Sequence, residues 1–159
     1  MSDPHYDVAV LGAGNAAFSA ALAAQEQGAK VVMIEAASVE EAGGNSRYTA
    51  GAIRFAHDGV EDLKTVLDLT QNEIDDADFG TYTTSQFYDD LFRLTQFRAD
   101  PDKAEALVTK SLETVQWMKS RGVKFQPSYG RQAFKVDGKY RFWGGLCVET
   151  WGGGEGLIE

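Results

Sequence analysis

One cysteine, Cys147, occurs in 159 residues, so no disulfide can close within the chain and a thiolate-rich zinc site is excluded. Histidine is nearly as scarce. His5 and His57 lie far apart without metal-ligand spacing, so no metal site is expected. No run of about 18 apolar residues occurs, which excludes a membrane-spanning helix. The start, Ser2-Asp3-Pro4-His5, has no basic stretch ahead of an apolar one, so the expected location is the cytoplasm. Positive charge is in deficit too: 15 basic residues face 24 acidic ones, a net charge of −9. A chain of that sign offers no basic footprint to nucleic acid or anionic lipid.

The acidity is local. Ten acids between Asp58 and Asp90 are opposed only by Lys64, so this segment carries −9 and the remainder is neutral. It would repel an anionic substrate and reads as a solvated face or a cover over the domain's exterior. With 43% hydrophobic and 25% charged residues the composition is that of a globular protein, and the length suits about one domain.

Tyr6 to Leu11 (YDVAVL) and Lys30 to Glu35 (KVVMIE) read as buried strands of a parallel sheet. Between them Ala16 to Gln27 is Ala-rich and helical, closed by Gly28. Strand, glycine turn, helix and strand make a βαβ unit, so the expected fold class is α/β and Rossmann-like, with further helices and a hairpin. Helices are expected near Val60 to Leu69 and Thr84 to Arg98. A long one is expected from Asp100-Pro101, with Asp as N-cap and Pro at the first helical position, to Gly122. Phe134 to Trp143 reads as a hairpin turning at Asp137-Gly138. Residues 1–125 are expected to form the front of a nucleotide-binding domain, and 126–159 the hairpin and glycine-rich start of a following region.

The turn Gly12-Ala13-Gly14-Asn15-Ala16-Ala17 has the form G-x-G-x-x-A. Gly12 permits the tight turn, Gly14 lets backbone approach a pyrophosphate, and Ala17 keeps helix close to strand. The helix start offers free N–H groups to phosphate. Glu35 ends the second strand, where an acid accepts hydrogen bonds from ribose hydroxyls. The following Ala36 and Ala37 supply no cation for a 2′-phosphate, which argues against NADP. The stretch Gly43-Gly44-Asn45-Ser46-Arg47-Tyr48-Thr49-Ala50-Gly51 then favours FAD over NAD, because small residues and backbone donors suit a loop lying along pyrophosphate and flavin. The bland reading is a Gly-rich linker.

These motifs resemble the flavoprotein family of fumarate reductases and succinate dehydrogenases. Within it, Gly12 to Ala56 and Phe142 to Leu157 (FWGGLCVETWGGGEGL) look most like the FAD-dependent tricarballylate dehydrogenases. The resemblance covers the whole chain, as the N-terminal portion of a much longer enzyme. It implies that Gly12, Gly14 and Ala17 hold the pyrophosphate and Glu35 the ribose. It also implies that Gly43, Gly44, Asn45, Ser46, Thr49 and Gly51 line the flavin, with Ala13, Asn15, Ala16, Ala36 and Ala50 beside them. Membrane-bound members carry a flavin-linked histidine where Asn45 stands, so FAD is expected to be non-covalent. The implied chemistry is hydride transfer from a small polycarboxylate, tricarballylate to cis-aconitate, with a separate acceptor protein as a candidate partner for the electrons and no insertion into a membrane. The family's substrate-clamping and proton-transferring residues belong to later regions, so no catalytic residue is assigned. The chain alone is expected to lack turnover and to dissolve poorly. A fumarate reductase or ketosteroid dehydrogenase, or an inert dinucleotide-binding fragment, is the alternative.

Among the remaining candidates, His57 beside Asp58 is expected at the surface. Arg47 and Arg54 face an anionic ligand or solvent. Cys147 is a small apolar filler. Gly152 to Gly154 either start a helix near phosphate or substrate, or form a plain linker.

Overall fold

The computed structural model describes residues 4–159. The chain first forms β1 (Val8–Leu11), α1 (Asn15–Glu26), β2 (Val31–Ile34) and a single turn, α2 (Gly44–Arg47). Next come β3 (Ala52–Ile53), α3 (Val60–Val66), α4 (Gln71–Asp76), β4 (Ala77–Asp78), α5 (Thr84–Leu94), α6 (Pro101–Thr109) and α7 (Ser111–Ser120). Then follow β5 (Phe125–Pro127), α8 (Tyr129–Gln132), β6 (Ala133–Val136), β7 (Lys139–Phe142), β8 (Val148–Thr150) and α9 (Gly153–Ile158). These elements divide into two compact units, one of Ala52–Trp151 and one of the chain through Gly51 joined by Gly152–Glu159. The 125/126 junction lies inside β5.

In the nucleotide-motif unit β1 and β2 pair in parallel, Val8 opposite Val31 through Leu11 opposite Ile34, with α1 packed on both. Gly28 at φ +83 ends α1, and its N–H donates to the Gln25 carbonyl at 2.9 Å. The strands are parallel but not buried as expected. Leu11 is 79% exposed and Ile34 53%, because among the described residues this sheet has only two strands and one helical cover.

In the Ala52–Trp151 unit, β8 lies between β3 and β5, antiparallel to both. A second sheet runs β4-β7-β6, with β4 parallel to β7. The β6–β7 hairpin turns at Asp137 (φ 51) and Gly138 (φ 84), both left-handed as a type I′ turn requires. The core gathers Phe55, Leu63, Val66, Leu67, Phe79, Val115, Cys147 and Val148. Thr70 with Glu73 and Thr83 with Gln86 close capping boxes on α4 and α5.

The single helix expected from Pro101 is two helices. Lys110 at φ −99, ψ 1 breaks it. Ser111 Oγ donates to the Val108 carbonyl at 2.8 Å and accepts the Ala56 N–H at 2.9 Å, so a local side-chain bond and a distant anchor outcompete helical continuity. Most of the acidic segment is solvated, with Asp68 94% and Glu61 80% exposed at the side chain. Asp90 differs: it accepts from Tyr82 Oη at 2.9 Å and Arg93 at 2.7 Å, with Arg54 3.8 Å away.

Candidate functional site

Parallel pairing brings the carboxyl ends of β1 and β2 side by side, and the Gly12 N–H donates to the Ile34 carbonyl at 2.7 Å. The glycine turn and Glu35 therefore meet. Glu35 Oε2 accepts the Ala13 N–H at 2.7 Å, while Oε1 accepts those of Ala36 at 2.7 Å and Ala37 at 2.9 Å. These donors, Ala37 foremost, hold its carboxyl below the usual carboxylate range. Three of about four acceptor directions on the carboxylate are taken, which leaves one open.

Gly12 stands at φ +103, and no atom lies within 4 Å of where a Cβ would sit. That open, left-handed position leaves the backbone of the turn uncrowded. At Gly14 a Cβ would lie 3.3 Å from the Gly43 carbonyl oxygen and 3.5 Å from Ser46 Oγ, so its bareness also admits the second loop. Ser46 Oγ also accepts the Asn15 N–H at 3.0 Å. Among the described residues the N–H groups of Ala16 and Ala17 carry no hydrogen bond, at the start of a 12-residue helix whose N-cap, Gly14, contributes no side-chain bond. Two free donors, the helix dipole and an uncrowded glycine fit a diphosphate.

The second loop is folded on itself. Gly43 (φ +115) starts α2, Thr49 Oγ1 donates to the Ser46 carbonyl at 2.9 Å, and the Gly51 N–H donates to Thr49 Oγ1 at 3.1 Å. Gly44 and Asn45 are exposed, Ala50 is half-buried and Gly51 buried. The turn of Gly12 to Ala17, Glu35 with Ala36, and the loop through Gly51 all belong to one unit. Arg47 does not stand free for an anion: it pairs with Glu155 at 3.1 Å and donates to the Ala42 carbonyl at 3.3 Å.

Residues 7–146 match the family model described as FAD binding domain. The chain belongs to that family. FAD is thus the dinucleotide, which decides the choice left between FAD and NAD. The FAD-binding chain is 32% identical over 123 residues to a fumarate reductase (cytochrome) of Shewanella frigidimarina, covering 76% of this chain and 19% of that protein. It is 29% identical over 123 residues to a vinyl phenol reductase of Lactiplantibacillus plantarum, covering 76% and 21%. It also superposes on the open conformation of a flavocytochrome c3 fumarate reductase with a TM-score of 0.60 and 25% identity, over 96% of this chain and 23% of that one. The FAD-binding chain spans about a fifth of the length of the curated relatives it matches. Among the described residues no helix is long and apolar enough to cross a membrane, and no cluster of three or more metal-ligating side chains occurs.

In the other unit, His57 is 2% exposed, which corrects the expectation of a surface residue. Its backbone pairs with Tyr82 (N–H donors at 2.8 and 2.9 Å), which draws the ring in beside Phe55. Burial lowers its pKa against the pull of Asp62 and Asp58, so the ring is held neutral. Nε2 lies 3.6 Å from Cys147 Sγ. Burial pushes the Cys147 thiol up to about 12. At pH 8 the folded chain is therefore expected to react with a maleimide about a thousandfold more slowly than free cysteine, and fully once unfolded in urea. Labelling of the native chain at the free-thiol rate would contradict this burial.

Proposed function

We propose that this chain supplies the FAD-binding portion of a flavin-dependent oxidoreductase acting on a small polycarboxylate, of the tricarballylate to cis-aconitate kind. The observation carrying the cofactor part is the Glu35 carboxylate tied to the glycine turn, beside the free donors of Ala16 and Ala17. Those donors and Gly12 would hold the diphosphate, and the open acceptor of Glu35 a ribose hydroxyl. Gly43, Gly44, Asn45, Ser46, Thr49, Ala50 and Gly51 would line the flavin. When bound, the flavin accepts a hydride, and the chain's task is to orient it.

The substrate class is supported by the likeness of Phe142 to Leu157 to tricarballylate dehydrogenases, and by relatives whose names give fumarate, another small carboxylate, as substrate. A fumarate reductase activity is the second reading, favoured by that 32% identity. A separate electron-acceptor protein and a cytoplasmic location go with either. Asn45 is an exposed amide and forms no carbon–nitrogen bond to a flavin, so FAD would be dissociable. Titrating the full chain into FAD should quench flavin fluorescence at one site per chain. Acid precipitation should then leave the protein pellet colourless and the supernatant yellow. A pellet that stays yellow overturns non-covalent binding, and an absence of saturable quenching overturns the cofactor site.

A further inference from the structure

The glycine run near the end of the chain does more than link two elements. The Gly154 N–H donates to the Thr49 carbonyl at 2.9 Å. Gly154 is buried, and a Cβ there would overlap the Ser46 carbonyl oxygen and lie 2.5 Å from that of Arg47. A Cβ on Gly153 would meet the Thr49 oxygen at 3.3 Å. From the other side, a Cβ on Gly43 would overlap Ile158 Cδ1. The Arg47–Glu155 pair adds a polar clasp at 3.1 Å. Two backbones thus approach to a distance that only glycine permits.

We infer that Gly154, with Gly153 and Ile158, is a positioning residue for the flavin loop, acting through that loop on the dinucleotide turn. The path is short. α9 holds the Thr49 carbonyl through the Gly154 N–H and packs against the carbonyls of Ser46 and Arg47; Ser46 Oγ in turn accepts the Asn15 N–H at 3.0 Å, at the start of α1. A methyl group at residue 154 must push α2 away by about 1 Å in a close-packed contact, and the Ser46–Asn15 bond moves with it. The contact of α9 is with the loop backbone. This inference rests on the FAD site proposed above.

The test measures FAD affinity by fluorescence titration, the induced visible dichroism of the bound flavin, and the far-ultraviolet melt of the full chain. Gly154→Ala is expected to raise the Kd at least about tenfold and to alter the induced dichroism, while the melt stays cooperative. Gly130→Ala, in open space on α8, should match wild type in all three. If Gly154→Ala does not fold, Ile158→Ala decides: it removes the support under Gly43 without a clash, and should raise the Kd at least about threefold with altered dichroism. Wild-type Kd and dichroism in the folded variant overturn the positioning role, whatever the melt does. A wild-type chain that binds no FAD overturns the site beneath it, and this inference with it.

Discussion

Phe55→Ala is expected to destabilise the Ala52–Trp151 unit by about 3–5 kcal/mol, the usual cost of emptying a buried phenylalanine site. Phe55 is fully buried in the larger core cluster, which also holds Leu63, Val66, Val115, Cys147 and Val148. Its ring also flanks His57, at 5.7 Å between centroids. The core cannot collapse easily into the gap, because strand pairs and the Ser111 anchor at Ala56 hold the backbone on either side. Urea unfolding followed by tryptophan fluorescence reads this unit cleanly, since Trp117, Trp143 and Trp151 all lie in it. A loss below about 1 kcal/mol would show that Phe55 is not a keystone of the core.

Glu35→Ala is expected to weaken FAD binding at least about tenfold, with Glu35→Gln between that and wild type. The carboxylate ties the glycine turn, through Ala13, to the backbone just past β2, through Ala36 and Ala37. Alanine removes all three bonds and frees the turn from the strand beside it. Glutamine keeps one oxygen acceptor but presents an NH2 to donors that need an acceptor. Isothermal titration with FAD decides the matter. An unchanged Kd in Glu35→Ala would remove the acid from the site.

The βαβ start was legible because its signals are local: β-branched strands, an alanine-rich helix, glycines at turns that need them. The hairpin at Asp137-Gly138 was legible for the same reason, since both turn residues tolerate the left-handed region they occupy. The placing of the acid and the glycine turn at one end of the sheet is legible too, because parallel strands carry both there. What sequence missed depends on partners far away. The break at Lys110 follows from Ala56 reaching Ser111. The burial of His57 follows from its pairing with Tyr82. Gly14 faces the second loop, a contact no spacing rule contains. The capping box of Thr70 and Glu73 was the exception, a local signal that marked α4 in plain text.

The clasp between Arg47 and Glu155 joins residues 108 positions apart. Closing a loop of that length costs about 4 kcal/mol of chain entropy. During synthesis at about 5–20 residues per second, the segment around Gly43 would wait roughly 5–20 s for its brace to emerge from the ribosome. The acidic stretch and the whole Ala52–Trp151 unit are made in that interval. The brace on the loop at Gly43 is thus the last part made, after the whole of the intervening unit.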